Sequence, residues 1–322
     1  MKAIKGEMYM YNVLMFVDSG VDDSFALMYA LQHPEINVVG VVSGYGNITK
    51  EQSMTNTAYL LHLAGREDIP IIAGSSGPLS GEIAKYYPEI HGQEGLGPIN
   101  PPKEFGEVKI FDIDKIIEII DAYPNRLIII GIGRQTDVAL PFIIYGNDAY
   151  QTVNAFYIMG GAFLVPGNVT AEAEANFYSD PIAAYQVMEK GRNIFLHPLN
   201  ITNKAIIPPE TIDYLAQNSR SAFKPIIKPA YDYYLNAYKK NVPGIQAAPL
   251  HDVLTISALA NPALVKYLPR RVTIEQFGAA RGKSIADFRP KPDPQPKETL
   301  DWIGMEVDVP KFIENFITVF MA

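Results

Sequence analysis

Three carboxylates, Asp18, Asp22 and Asp23, stand within six residues of one another in VDSGVDD. Grouped carboxylates either ligate a hard cation or move protons. Ca²⁺ takes about six to eight oxygen ligands, and clustered aspartates supply them. The competing reading is an acidic cap and first turn of a helix, where the macrodipole favours negative charge. Capping accounts for one or two aspartates but not for three. The flanking residues say what positions the group. Five apolar residues, Val13 to Val17, lead into Asp18. Gly20 allows a sharp turn, and Asp22 and Asp23 open an apolar, helix-prone run. This reads as a buried parallel strand, a tight loop and a helix. The carboxylates then lie at the carboxyl end of the strand, where open α/β sheets place their ligands.

Other strand-like segments also end in polar residues. Asn47 follows INVVGVVSG, and Thr136 follows RLIIIGIG. NAFYIMGG leads to Asn168, Glu174 and Asn176, and Asp252 stands much later beside His251. In a parallel sheet these ends gather on one rim. The set is rich in Asp, Asn and Glu and poor in Lys and Arg. It suits a neutral polyhydroxyl ligand with a cation better than a phosphate, which calls for a Gly-rich loop with Lys or an Arg fork. Arg134 is the one basic residue expected near this rim.

The chain has 322 residues, a formal charge of −8 and no cysteine. The negative balance argues against nucleic acid held on a basic face. Without cysteine there are no disulfides, thiolate nucleophiles or cysteine-based metal sites. No run of about eighteen apolar residues offers a membrane span. The opening MKAIKGEMYMYN lacks the apolar core of a signal peptide, so a cytoplasmic enzyme is expected.

Strand and helix patterns alternate. Strands are expected at 36–44, 68–74, 126–133, 154–161 and 193–202, with helices at 50–63, 137–145 and 180–190. This predicts one α/β domain over 1–322, with a single open, mainly parallel sheet flanked by helices. Residues 75–105 are punctuated by glycine and proline and carry His91. A segment this long without regular structure predicts a mobile flap near a site. From 208 to 267 a mainly helical insertion is expected. In it Tyr231, Tyr234 and Tyr238 form an aromatic stripe, with the last two on one helix face. A late strand is expected at 270–276, an exposed proline-rich turn near 290–298 and an amphipathic helix at 309–321.

VDSGVDD resembles the D-x-D-x-G-x-D-D signature of the nucleoside hydrolases of the inosine–uridine-preferring type. SGYGN, HGQEGLG, GRQTDVAL, MGGAFLVPGNVTAEAEAN, HDVLTISAL and GAARGKSIAD follow in that family's order, and the resemblance covers roughly residues 12 to 318. It implies a Rossmann-like core and Ca²⁺-dependent cleavage of ribonucleosides to ribose and free base, in nucleoside salvage. It also implies a homo-oligomer, dimer or tetramer. By the same resemblance Asp18, Asp23 and Asp252 match the metal carboxylates, and Thr136 a residue that binds the ion through its backbone carbonyl. Asp22 matches the base that takes a proton from water. Asn47, Asn168, Glu174 and Asn176 match residues that hold the ribose hydroxyls, and Met159 one that lines the sugar pocket. His251 matches the histidine facing the leaving base. His91, Tyr234 and Tyr238 fall near the base.

The residue types suit that chemistry. Breaking an N-glycosidic bond builds positive charge on the sugar, which carboxylates stabilise. Three departures stand out. Phe16 replaces the usual first aspartate, Ala175 replaces a common aromatic, and Arg134-Gln135 replaces Pro-Leu. Phe16 and Ala175 favour a second reading, a nucleoside- or sugar-binding protein that kept the fold without catalysis. Retention of Asp22 argues for catalysis. A metal phosphoesterase is a third reading, but it wants an aspartate where Gly20 stands.

Overall fold

The computed structural model describes residues 10–102 and 109–322. Eleven strands run in chain order: β1 (Tyr11–Val17), β2 (Ile36–Ser43), β3 (Ile71–Ala73), β4 (Ile110–Phe111), β5 (Leu127–Gly131), β6 (Ala155–Met159), β7 (Ile194–His197), β8 (Val265–Arg270), β9 (Val272–Ile274), β10 (Ser284–Ala286) and β11 (Asp301–Val307). Nine of them form one sheet in the order β4-β3-β2-β1-β5-β6-β7-β11-β8. Every pairing in it is parallel except β11 with β8. β9 and β10 pair separately, antiparallel. The mainly parallel sheet expected from the alternating pattern is present.

The chain winds outward from β1 to β4, then returns to β5 on the other side of β1 and winds the opposite way. The strand order therefore reverses between β1 and β5, and a crevice opens at their carboxyl ends. Asp18 follows β1 there, and Arg134 and Thr136 follow β5.

β1 is buried on both faces, as a parallel central strand must be. Its side chains alternate between two cores. Val13, Met15 and Val17 join the larger one, with apolar residues of the helices Val21–Gln32, His251–Ala260 and Val309–Phe320. Leu14 and Phe16 point the other way, toward Ile119, Val138, Ile158 and Val187. Phe16 thus belongs to the opposite core, 1 % exposed, and carries no group to the crevice. The terminal helix behaves as its pattern predicts, burying Phe312, Phe316, Val319 and Phe320.

The structure adds elements that the pattern does not reveal. The strand expected over 193–202 stops at His197, and Leu199–Thr202 turns as a short helix. The late strand divides into β8, in the main sheet, and β9, paired with β10. β11 inserts between β7 and β8, where Trp302 stacks on Phe195, far from the crevice. Most of 208–267 is helical, in Pro209–Asn218, Lys224–Asn241 and His251–Ala260, before β8 opens. The flap expected over 75–105 extends in its last residues, 103–105, outside the described ones. Within it, Pro88–His91 is a helical turn, so this part is not a plain loop.

Restoring an acid at position 16 would bury a carboxylate among apolar side chains. Phe16→Asp is expected to lower unfolding free energy by about 4 kcal/mol or more. Chemical denaturation of the two proteins measures this, and an unchanged midpoint would contradict the placement of Phe16.

Candidate active site

The loop after β1 holds its aspartates by close approach. Ser19 adopts a left-handed φ of 24°, and its hydroxyl meets Thr57 Oγ1 at 2.8 Å. Gly46 presses against Asp18: a Cβ there would lie 1.7 Å from Asp18 Oδ2. The glycine of SGYGN is thereby explained. Gly20 is also close-packed, since a Cβ would come within 2.6 Å of His91 Nδ1.

Asp22 and Asp23 do fall in the first turn of Val21–Gln32, but neither caps it. Asp23 Oδ1 instead accepts from the Asp18 N–H at 3.0 Å. Asn47 Nδ2 donates to both Asp18 Oδ1 (2.9 Å) and Asp23 Oδ2 (3.0 Å), and the Asn47 N–H donates to Asp18 Oδ2 at 3.1 Å. Asp22 Oδ2 accepts from the N–H groups of His251 (2.9 Å) and Asp252 (3.4 Å), at the start of His251–Ala260. Two helix N-termini so meet at one carboxylate, a favourable place for negative charge. Asp22 Oδ1 is buried without a hydrogen-bond partner among the described residues.

These side chains border a cavity of about 260 Å³. Asp22, Asn47, His91, Met159, Asn168, Glu174, Asn176, Tyr234, Tyr238, His251 and Asp252 all line it. Asp18 and Asp23 lie just behind Asn47. The sequence-predicted residues therefore converge, although they come from segments far apart in the chain. Thr136 is buried beside them, but its hydroxyl donates to Asp180 at 2.7 Å and meets Tyr45 at 3.1 Å, so its side chain is turned away.

On one side of the cavity Glu174 is held firmly. Oε1 accepts from Asn176 N–H at 2.8 Å, and Oε2 from Gly161 (3.0 Å) and Phe177 (3.2 Å). Asn176 Nδ2 donates to the carbonyls of Ile132 (2.7 Å) and Met159 (3.2 Å). Asn168 is exposed at the mouth, its Oδ1 accepting from the Ala175 N–H at 3.0 Å.

On the opposite side runs a chain of aromatic and hydroxyl groups. Tyr234 and Tyr238 hydroxyls are 3.3 Å apart, Tyr238 meets His251 Nε2 at 3.1 Å, and His251 Nδ1 meets Thr202 Oγ1 at 2.9 Å. The aromatic stripe divides its work: Tyr231 is core, while Tyr234 and Tyr238 face the cavity. His91, expected as a loop residue without packing, is 6 % exposed. Its ring lies against Tyr234, and its Nδ1 accepts from the Val21 N–H at 3.1 Å. Thr202 and Tyr87 also belong to this setting. Neither lies in a motif, and no pattern of residue types marks them.

Arg134 differs most from expectation. It is not at the rim but buried in the wall of the cavity, 5 % exposed. Nη1 lies 3.3 Å from Asp18 Oδ2 and donates to Asn176 Oδ1 at 2.5 Å, and Nη2 donates to Asn47 Oδ1 at 3.3 Å. Nε has no partner among the described residues. Burial works against its charge, but Asp18, Tyr87 and Glu174 hold its pKa above the usual value.

Burial raises the pKa values of Asp22, Asp23 and Asp252 well above the ordinary range, and Asp18 adds repulsion to all three. Burial also raises Glu174. Hard oxygen donors, an excess of negative charge and an unpartnered carboxylate oxygen are what a hard cation requires. The donor set fits one. Among the described residues no three acidic or histidine side chains already surround a single point. The Asn47 amide instead stands between Asp18 and Asp23.

Burial lowers the His251 pKa from 6.5 to about 4, so the ring is neutral near pH 7. The unfolded chain binds a proton near 6.5 and the folded one does not. The stability associated with neutral His251 is therefore complete above 6.5 and is lost as pH falls toward about 4. His251→Gln removes this contribution. Its unfolding free energy is expected to fall less steeply than that of the parent across that interval, as measured by denaturant titration at several pH values.

Comparison with known proteins agrees with this geometry. The model of the inosine-uridine preferring nucleoside hydrolase family matches residues 13–314. Pyrimidine-specific ribonucleoside hydrolase RihA of Citrobacter koseri is 32 % identical, over 86 % of this chain and 88 % of its own. Uridine nucleosidase 1 of Arabidopsis thaliana is 30 % identical, over 85 % and 81 %. Among solved structures, the plant nucleoside hydrolase PpNRh1 superposes with a TM-score of 0.90 at 28 % identity, covering 97 % of this chain and 99 % of that one. A purine-preferring ribonucleoside hydrolase from Gardnerella vaginalis gives 0.89 at 27 %, covering 96 % and 98 %. With its carboxylates, amides and histidine gathered at the sheet's switch point and a family match across nearly the whole length, the chain belongs to the inosine-uridine preferring nucleoside hydrolases and is a hydrolase acting on nucleosides.

Proposed function

We propose that the enzyme cleaves the N-glycosidic bond of ribonucleosides to ribose and free base, in nucleoside salvage, with Ca²⁺ as its metal ion. The observation that carries the reading is Asp22. One oxygen is pinned by two backbone N–H groups, and the other is buried without a partner on a residue that lines the cavity. A base needs that arrangement: an orientation set by one oxygen and a lone pair not used by the protein on the other.

Asp18, Asp23, Asp252 and the Thr136 carbonyl are the ligands we assign to Ca²⁺. When bound, the ion supplies a Lewis acid that acidifies water and grips vicinal hydroxyls. The protein's own groups do the rest. Asp22 Oδ1 accepts the proton of the attacking water. Asn47, Asn168, Glu174 and Asn176 position the ribose, and Met159 packs against it. Buried carboxylates stabilise the positive charge that develops on the ring. Neutral His251 and the Tyr238 hydroxyl face the departing base, which needs a hydrogen bond or a proton. His91 and Tyr234 close that side. The relatives named for uridine and pyrimidine nucleosides make uridine the first substrate to test.

Ribose release from uridine and inosine, followed by a reducing-sugar assay, tests the proposal. Binding of either nucleoside without ribose release would return the chain to the class of binding proteins. Asp22→Ala is expected to lower kcat by about 10²–10⁴ while nucleoside binding survives. Near-parental turnover in that variant would place the base elsewhere. A site built around ribose hydroxyls rejects an analogue that lacks one, by up to about 10⁴–10⁵. 2′-Deoxyuridine should therefore be a poor substrate beside uridine, as the ratio of kcat/KM values shows.

A further inference from the structure

We propose that Arg134 is a resident counter-ion of the pocket, which shares Asp18 with the metal ion and makes the protein hold that ion loosely. The inference rests on the reading of the carboxylate cluster as a cation site. It concerns a residue that stands where the family pattern has Pro-Leu.

Arg134 is the only Lys or Arg among the described residues that line the cavity. Its guanidinium reaches Asp18 Oδ2 at 3.3 Å, and that side chain is fully buried. Asp18 is already satisfied without an ion. Oδ1 accepts from Asn47 Nδ2, and Oδ2 accepts from Asn47 N–H and lies 3.3 Å from Arg134 Nη1 in an ion pair. An incoming cation must displace or share the Asn47 donors, and it meets a fixed positive charge paired with its own ligand. Guanidinium cannot relieve the repulsion by losing its proton.

The fork has a second effect. Nη2 takes Asn47 Oδ1, which turns the Asn47 NH₂ toward Asp18 and Asp23. Through this contact Arg134 keeps a donor between two carboxylates that would otherwise be available to an ion. Nη1 takes Asn176 Oδ1 in the same way and turns its NH₂ to the Ile132 and Met159 carbonyls. Arg134 thus substitutes for a cation in both charge and geometry. Ion affinity is thereby reduced.

Two like charges within a few ångströms inside a protein repel strongly enough to change an affinity by about tenfold or more. The test is calorimetric titration of CaCl₂ into chelator-treated, dialysed parent, Arg134→Met and Arg134→Lys proteins. Arg134→Met should bind Ca²⁺ about tenfold more tightly or better, and Arg134→Lys, which keeps a charge without the fork, should fall between Arg134→Met and the parent. Melting curves give a reading independent of turnover: chelator should lower the Tm of Arg134→Met more than that of the parent. If parent and Arg134→Met bind Ca²⁺ equally, or Arg134→Met binds more weakly, the counter-ion role is wrong and the cation site stands. If neither binds Ca²⁺, both readings fail. Should Arg134→Met not fold, the parent decides: loss of Ca²⁺ on gel filtration in metal-free buffer supports the role, and retention of a full equivalent overturns it.

Discussion

Negative charge buried at the carboxyl end of β1 is the constraint on which the rest of the structure depends. Asp18, Asp22, Asp23 and Asp252 are each at most 4 % exposed. Ionised carboxylates taken out of water cost several kcal/mol apiece unless donors or opposite charge meet them. The fold meets most of that demand with fixed groups. Backbone N–H groups of Asp18, Asn47, His251 and Asp252 point inward, and the Asn47 amide and Arg134 guanidinium complete the set. Such donors are effective only if they cannot move. β1 accordingly lies between two hydrophobic cores, and Gly46 lets the chain approach Asp18 more closely than any side chain would permit.

The same electrostatics give the pocket its chemistry. Burial and mutual repulsion lift the carboxyl pKa values, and burial depresses those of His251 and His91. At neutral pH the histidines are therefore hydrogen-bonding groups without charge. The cavity has two unlike walls: carboxylates and amides on one side, tyrosines and neutral histidines on the other. The first wall suits a group that gains positive charge and the second a neutral group that accepts hydrogen bonds.

The departures from the family pattern separate once the side chains are located. Phe16 is a core residue on the far face of β1, so the missing aspartate changes packing and removes nothing from the described pocket. Ala175 lies in the cavity wall beside Glu174, where a small side chain leaves room. Arg134 alters the charge of the site itself. The argument for a binding protein drew on Phe16 and Ala175, and neither disturbs Asp22 or its donors.

The order and type of the central elements were legible in the chain, because buried parallel strands are apolar runs and their helices repeat at a different period. The site was legible too, since β1, β5 and β6 must end on the same rim and polar residues follow each. Short or late pieces were not. β4 spans two residues, and β11 mixes exposed and buried positions without a clean alternation, so neither carries a periodic signal. Position 134 shows the limit most clearly. Its residue type announced a positive charge near a sheet end, but a long flexible side chain can point to solvent or inward with equal ease on sequence grounds. Only the packed structure, with Asp18, Asn47 and Asn176 arriving from three other segments, turned it inward. The chain alone determined which chemical groups meet at the end of β1. Tertiary structure decided which oxygen of Asp22 stays unpartnered, which ring nitrogen of His251 meets Tyr238 and where the guanidinium lies, because those depend on distances between residues from 13 to 229 positions apart in the chain.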